Sequence, residues 1–374
     1  MRVLMVSYTS LLQRAYRKKC DELGRLPGVD LTVLAPPCWR EWWSPGRGVE
    51  YEVGEKDESY RSVVLPIWFS GNGHVALFRR GISCLLREVR PDIIDLEREP
   101  WCWAAAQMLW SRNRQCPGAR LVFHTSQSIR KWYPPPFRQI EKATYRGASA
   151  AMARSESAAR VLRTRGFEGK IDVVPHGVDT EIFRPADGEP GAGGRVVGFV
   201  GALTGEKGVP VLLEALARMG EPARGLIVGD GPERERLEAL AQDLKISSRV
   251  EFTGSVRHHR IPEALREMSV FVLPSVSSRG WVERFGRVLL EAMASGIPVV
   301  GSDSGEIPNV VGDGGIIVPE GDPDALASAL RDILGNRERA RDLGYRARRR
   351  VEKHYSWKHL AGRTLRIYRE ILEG

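Results

Sequence analysis

The sequence predicts an α/β protein made of two doubly wound domains in tandem, and three observations carry that prediction. Short apolar runs bounded by turn residues alternate with amphipathic segments along the chain, the pattern of βαβ units on a parallel sheet. The alternation pauses in a Gly- and Pro-rich stretch at 180–194, TEIFRPADGEPGAGG, and then starts afresh. The 374 residues suffice for two separate cores at roughly 100–200 residues per domain.

In the first series the strand candidates are 3–6, 31–34, 93–96, 121–124 and 171–174, with helical periodicity over 11–23, 75–89 and 136–146. In the second they are 196–200, 225–228, 250–252, 270–273, 299–300 and 315–318, separated by helices such as 209–218 and 233–244. The last segment, 357–372, reads as a long amphipathic helix with Leu365, Tyr368 and Leu372 on one face. This organisation gives a domain over 1–187 and another over 188–356, with ligand expected in a central cleft between them.

Composition narrows the class of protein. Aromatic content of 8%, spread Gly and Pro, and a mean hydropathy of −0.28 are ordinary globular values, which exclude wholesale disorder, collagen and coiled coil. Five scattered cysteines (Cys20, Cys38, Cys84, Cys102, Cys116) form no C-x-x-C pair and have no His at ligand spacing, so neither a disulfide framework nor a zinc site is expected. The start, MRVLMVSYTS, reads as a first strand rather than a signal peptide, and no apolar stretch approaches the ~20 residues needed to cross a bilayer. A cytoplasmic protein follows as the expectation.

The net charge of +9 is unevenly placed. Residues 1–187 hold 29 Lys+Arg and 21 Asp+Glu, a balance of +8, whereas the remainder holds 27 and 26, a balance of +1. Eight of the ten tryptophans also precede residue 188. Segments such as WREWW (39–43) and RKWYPPPFR (130–138) join basic and aromatic residues as membrane-interfacial surfaces do, the alternative being core or sugar-stacking aromatics. Nucleic acid is disfavoured as partner, because no helix-turn-helix, RRM or zinc-finger pattern is present.

Common nucleotide signatures are missing as well. No G-x-G-x-x-G follows a strand and no G-x-x-x-x-G-K-[ST] occurs, which disfavours a dehydrogenase or P-loop NTPase. The informative stretch is 281–311, WVERFGRVLLEAMASGIPVVGSDSGEIPNVV. Glu283 and Glu291 lie eight apart; on a continuous helix they would share one face about 12 Å apart. With 280–286 as a loop, Glu283 stands at a helix N-terminus and Glu291 two turns inside. Such a pair can accept sugar hydroxyls at one end and ribose hydroxyls at the other, with helix amides and dipole for a phosphate between. Solvated glutamates on a polar face are the alternative, and the Phe285-Gly286 turn beside Glu283 speaks for the functional one.

Lys207 follows the first strand of the second domain in FVGALTGEKGV and suits a diphosphate leaving group. The chain has 46 Arg and 10 Lys, so an ordinary surface cation there would more often be Arg. His124 ends the run 121–124 and is expected to emerge at the carboxyl edge of the first sheet; from position alone a hydrogen bond to sugar or acceptor and a satisfied core histidine are equally supported. His176, in VVPHGVD, reads as structural.

The E-x7-E of 281–311, together with VGALTGEKG, VGDGPERERLEALA, VEFTGSV, VPHGVDTEIFRP and PEGDPDALASAL, resembles the family 4 glycosyltransferases. The resemblance covers nearly all of the second half, and the first half mainly at His124 and VPHGVD. It implies the GT-B fold, two Rossmann-like domains facing a cleft, and a retaining, metal-independent enzyme without cofactor that uses a nucleotide-sugar donor. It further implies that Lys207 and the Gly201 loop bind the donor diphosphate, and that Glu291 binds the ribose. Glu283 with Phe285 and Gly286 would bind the transferred sugar, Ser255 and Val256 would lie against the base, and His124 would contact the sugar or reacting centre. The final helix would cross back to the first domain. Three positions depart from the family pattern. Ala202 stands where a phosphate-binding Arg is usual, so that Arg287 or another residue must replace its charge; Ser7-Tyr8-Thr9-Ser10 replaces a glycine pair; and Arg284 replaces a Gly. The expected acceptor is a sugar, glycolipid or other hydroxyl, with an anionic membrane surface as a further partner. A nucleotide-sugar epimerase, a phosphorylase and a basic nucleic-acid-binding protein are the rival readings.

Overall fold

A computed structural model describes residues 1–8, 14–40, 48–50, 59–185, 194–220 and 223–374. It divides the chain into two compact units, Met1–Pro175 with Trp357–Gly374, and His176–Ser356.

The first unit runs β1 (Arg2–Val6), α1 (Arg14–Gly24), β2 (Asp30–Ala35), β3 (Cys38–Arg40), β4 (Gly48–Glu50), β5 (Arg61–Val64), β6 (Ile67–Trp68), β7 (Leu77–Phe78) and α2 (Ile82–Val89). It continues with β8 (Ile93–Leu96), α3 (Trp103–Gln115), β9 (Arg120–Thr125), α4 (Phe137–Gly147), β10 (Ala150–Ala153), α5 (Glu156–Thr164) and β11 (Lys170–Val173). Seven strands form one parallel sheet in the order β11-β10-β9-β8-β1-β2-β5. The helical period seen at 75–89 is broken in the structure, because Gly81 adopts φ +97° and lets a helix start only at Ile82, after the short strand β7.

The second unit runs β12 (Val196–Val200), α6 (Val209–Met219), β13 (Arg224–Val228), α7 (Arg234–Asp243), β14 (Val250–Gly254), α8 (Ile261–Arg266), β15 (Val270–Leu273) and α9 (Arg287–Ala294). Then come β16 (Val299–Ser302), α10 (Ile307–Val311), β17 (Gly315–Val318), α11 (Pro323–Gly335) and α12 (Arg337–His354). Its parallel sheet has the order β14-β13-β12-β15-β16-β17. Strand order therefore reverses between β12 and β15, the switch point beside which open α/β sheets leave a crevice at their strand carboxyl ends.

The boundary between the units falls after Pro175 rather than near residue 187. Val178 and Phe183 are buried in the second core, and Arg348 donates to the carbonyls of Thr180 and Phe183, so the described part of the Gly/Pro-rich stretch is docked. Residues 186–193 lie outside the described residues.

The last helix, α13 (Trp357–Glu373), belongs to the first unit and packs on α1. Trp357, Leu360, Ala361, Ile367, Tyr368 and Ile371 join the sheet residues Val3, Met5 and Val122 in one core. Leu372, expected on that face, is 37% exposed; Ile371, three residues after Tyr368, takes the inward position instead.

Beneath α13 lies a buried polar cluster. Tyr368 Oη donates to Asp95 Oδ2 at 2.5 Å, and His124 Nε2 lies 2.6 Å from Asp95 Oδ1. Lys19 pairs with Glu97, and Arg154 Nη2 reaches the same carboxylate at 3.2 Å. Burial pushes the Asp95 carboxyl up, but His124 and Lys19 outweigh it and the net shift is downward. Burial foremost, then Asp95, raises the Tyr368 phenol well above its usual range, so it stays a donor. Tyr368→Phe keeps the ring and removes the donor from a buried carboxylate. A loss of about 1.5–3 kcal/mol is expected for a hydrogen bond to a charged group, read from chemical denaturation of wild type and variant. Coincident denaturation curves would assign the hold on α13 to its apolar face alone.

Candidate active site

Second-sheet residues singled out by the sequence stand at its carboxyl edge. After β12 the chain passes Gly201 and Leu203 and enters a 3-10 turn, Gly205–Lys207, that ends in Gly208 at φ +66°. That glycine is the N-cap of α6, and a Cβ there would lie 1.8 Å from the carbonyl oxygen of Pro274. Only glycine permits the loop after β12 to press so closely on the loop after β15. Gly229, at φ +147°, makes the same kind of approach to Gly201, whose amide donates to the Val228 carbonyl at 3.0 Å. Ser255, exposed, and Val256, packed on the core, follow β14.

Between β15 and α9 the chain forms a loop, and Glu283 lies in it rather than on the helix. Gly286 at φ +71° is the N-cap, α9 begins at Arg287, and Glu291 sits inside the helix, so the two glutamates belong to different elements. Phe285 is buried and packs edge-on against His176 at 5.2 Å, which gives that histidine a packing role within this unit.

Glu283 and Lys207 meet. Lys207 Nζ lies 2.5 Å from Glu283 Oε2, and the same oxygen accepts from Ser275 Oγ at 3.1 Å. The ammonium also stands 5.3 Å from the centroid of the Trp281 ring. The turn after β16 holds the Glu283 backbone: Glu306 N donates to the Glu283 carbonyl at 3.0 Å, and Glu283 N donates to Ser304 Oγ at 3.4 Å. Glu291, buried, instead pairs through Oε1 with His258 Nε2 at 3.0 Å. Arg287, one turn before it, is lowered by burial against the pull of the Glu291 charge. Arg284 is exposed.

His124 stands near the carboxyl end of the first sheet, as the penultimate residue of β9, but its side chain does not emerge from the edge. It lies inside β9, 4% exposed, with Nε2 engaged by Asp95 beneath α13. Burial foremost holds it below its ordinary value, and its buried Nδ1 has no partner among the described residues. Of the two readings of His124, the core one fits this geometry, because alternation along the strand turns the side chain to the face that α13 covers. The Tyr8 ring, in the place of the family's glycine pair, is buried against Trp39 at 5.4 Å and Phe78 at 5.2 Å and donates to the Ala76 carbonyl. Thr9 and Ser10 lie outside the described residues.

Ser275, Trp281, Ser304 and His258 belong to the site and were not singled out from the sequence. Ser275 is a bare serine after an apolar strand, a signal shared with many turns, and His258 stands 33 residues from Glu291.

Two Rossmann-like units with a charged cluster at the carboxyl edge of the second define a glycosyltransferase of the GT-B type, and comparison with known proteins agrees. Residues 183–350 match the family model "Glycosyl transferases group 1" and residues 20–182 match "Glycosyltransferase Family 4". The chain belongs to the family 4 glycosyltransferases. It is 31% identical over 292 residues to an alpha-maltose-1-phosphate synthase of Mycolicibacterium smegmatis, covering 67% of this chain and 72% of that one. It is 32% identical over 286 residues to a GDP-mannose-dependent alpha-(1-6)-phosphatidylinositol monomannoside mannosyltransferase of Mycobacterium tuberculosis, covering 70% and 73%. The fold is shared with Anabaena HepE, solved in complex with UDP, at a TM-score of 0.75 and 17% identity over 99% of this chain and 100% of that one.

The hydrogen bond that its ring donates to Glu291 raises the His258 imidazole above its ordinary 6.5. A raised folded value stabilises the fold fully below pH 6.5, and the contribution is lost as pH rises through that value. The difference in thermal midpoint between wild type and His258→Asn is therefore expected to shrink as pH is taken from 6 to 9, a window set by the roughly 6.5 reference. A difference independent of pH would mean that the pair does not titrate.

Proposed function

We propose that the chain is a retaining glycosyltransferase that moves a sugar from a nucleoside diphosphate donor to an acceptor hydroxyl without a metal. The carrying observation is the meeting of Lys207 and Glu283 at the switch point, beside two helices whose N-caps are glycines and lack side-chain capping. The ammonium and the amides of Arg287 and Val288 in the first turn of α9 suit a diphosphate, and the Glu283 carboxylate suits sugar hydroxyls. Glu291 two turns into α9 suits the ribose, Ser255 and Val256 suit the base, and Gly201 permits backbone approach. Arg287 would supply the charge that Ala202 lacks. The family resemblance, the GDP-mannose named for one relative and the UDP bound in one structural neighbour support the donor class.

In this mechanism the acceptor oxygen attacks the anomeric carbon from the side the diphosphate leaves. The bond from that carbon to the phosphate oxygen breaks, the bond to the acceptor oxygen forms, and the departing phosphate oxygen takes the acceptor proton. Lys207 and the helix amides stabilise the charge that develops on the leaving group. No protein carboxylate needs to act as nucleophile, unlike the paired carboxyls of retaining glycosidases. Lys207→Ala is expected to lower kcat/KM about 10²–10³-fold, the loss found on removing one preorganised charge-stabilising donor. The assay is turnover across a panel of UDP- and GDP-sugars. Wild-type turnover by this variant would refute the role, and turnover that needs no acceptor, or that needs free phosphate, would favour the epimerase or phosphorylase reading.

For the acceptor, a membrane-presented hydroxyl such as a lipid-linked sugar is favoured by the surface of the first unit, at the inner face of the membrane. Trp132 is 75% exposed between Lys131 and the cis-linked Pro135-Pro136, on a segment fixed by Tyr133 stacking on Trp101 at 4.5 Å. Phe69 and Trp103 are exposed and touch each other, and residues 66–80, 100–115 and 126–140 contain seven Lys or Arg and no Asp or Glu. Trp39 is buried against Tyr8, and Trp42 and Trp43 lie outside the described residues. No helix of the described residues is long and apolar enough to cross a membrane. Flotation with vesicles of phosphatidylcholine and phosphatidylglycerol is expected to carry the protein at low salt and lose it at high salt, since each basic residue near an anionic surface is worth about 1 kcal/mol. Trp132→Ala should weaken it severalfold, and no flotation at low salt would remove the membrane from the proposal.

A further inference from the structure

The Glu283 carboxylate at the carboxyl edge of the second sheet is held through one of its oxygens only. Oε2 receives both Lys207 Nζ, at 2.5 Å, and Ser275 Oγ, at 3.1 Å, whereas Oε1 has no hydrogen-bond partner among the described residues. The two donors differ in kind. Lys207 sits on a flexible stem, partly exposed, in the loop after β12. Ser275 is fully buried, two residues beyond β15, and its own carbonyl accepts from Ser302 Oγ at 2.6 Å at the end of the neighbouring strand β16. One donor can move and the other cannot.

An anion that takes Lys207 removes the stronger of the two contacts to Oε2. Without a second donor the carboxylate would be free to turn about its side-chain torsions as the sugar arrives. The Ser275 hydroxyl stays in place, and its hydrogen bond to a charged oxygen is of the stronger kind. We propose that Ser275 is a positioning residue: it keeps Oε2 of Glu283 fixed, and Oε1 turned to a hydroxyl of the transferred sugar, while Lys207 shifts to the diphosphate. The proposal rests on the donor reading above. It adds a residue that touches neither diphosphate nor sugar and acts through Glu283.

The distinguishing readout is the part of donor affinity that comes from the sugar. Dissociation constants for the nucleoside diphosphate and for its sugar conjugate are measured by calorimetry for wild type, Ser275→Ala, Ser275→Thr, Glu283→Ala and the Ser275→Ala/Glu283→Ala pair. In Ser275→Ala the sugar conjugate is expected to bind roughly ten- to hundredfold more weakly, the range for a lost hydrogen bond to a charged group, with nucleoside diphosphate affinity unchanged. Ser275→Thr should restore most of the loss, and the double variant should bind the conjugate no more weakly than Glu283→Ala alone, the sign of two residues acting as one unit. Equal weakening of both ligands in Ser275→Ala, or additive losses in the double variant, would make Ser275 a core residue and overturn the proposal. Loss of the sugar increment in Glu283→Ala with none in Ser275→Ala would overturn it too while leaving the donor reading intact. If wild type binds no conjugate more tightly than its nucleoside diphosphate across the panel, the donor role of Glu283 falls first and the proposal falls with it.

Discussion

The contact on which the carboxyl edge of the second sheet depends is the ion pair between Lys207 and Glu283. In a parallel sheet every strand ends at the same edge, and the loops leaving that edge have no ladder to continue their hydrogen bonds. Where strand order reverses, the loops after β12 and β15 leave in opposite directions and must still be held together. Here a carboxylate, an ammonium and a buried hydroxyl do so, while Gly208 brings backbone against backbone at Pro274. The positive φ of Gly208, Gly286 and Gly305 follows from that crowding, since a Cβ at each would meet a neighbouring atom closer than 3 Å. Packing and chemistry thus converge on one set of residues.

The first unit solves a different problem at its own sheet. It buries Asp95 and Glu97, and buried carboxylates are tolerated only when paired and hydrogen-bonded. Lys19 from α1, His124 from β9, Arg154 after β10 and Tyr368 from α13 supply the partners, so residues from most of the length of the chain meet in one cluster. That cluster specifies where α13 docks. A helix amphipathic enough to pack on many surfaces becomes specific when its central tyrosine must reach one carboxylate.

Much of this was legible in the sequence where periodicity is strong. All six strands of the second sheet lie where apolar runs predict them: β12, β13, β15 and β16 are buried and read as near-continuous hydrophobic runs, whereas the edge strands β14 and β17 are only partly buried. In the first unit β10 escaped notice: Ala150–Ala153 is AAMA, buried but without the β-branched residues that signal a strand. The strand β5, Arg61–Val64, lies at the sheet edge with mixed exposure and so lacks a clean alternation. The site was half legible. Lys207, Glu283 and Glu291 stand out through their spacing and their glycine neighbours. Ser275 and His258 do not, because their importance is a matter of which carboxylate they reach, and that is set by sheet order rather than by distance along the chain. His124 shows the converse, since a histidine at the end of an apolar run can face the edge or the helix above, and only the packing of α13 decides.

The choice of lysine at position 207 carries the last step. In a chain with 46 Arg and 10 Lys, cations that hold fixed positions are mostly arginines, as where Arg348 grips three carbonyls and Arg165 grips both oxygens of Glu141. A planar guanidinium locked on Glu283 in the same way would hold both carboxylate oxygens and leave nothing for a sugar. An ammonium on a four-carbon stem takes one oxygen and keeps two further donors, so it can be shared between a carboxylate and a phosphate. The glycine at 208 also leaves the start of α6 without a side-chain cap. On the donor reading proposed above, residue type, stem length and backbone conformation at 205–208 would answer to one requirement, that the positive charge can pass to a phosphate while the carboxylate it leaves stays where it is.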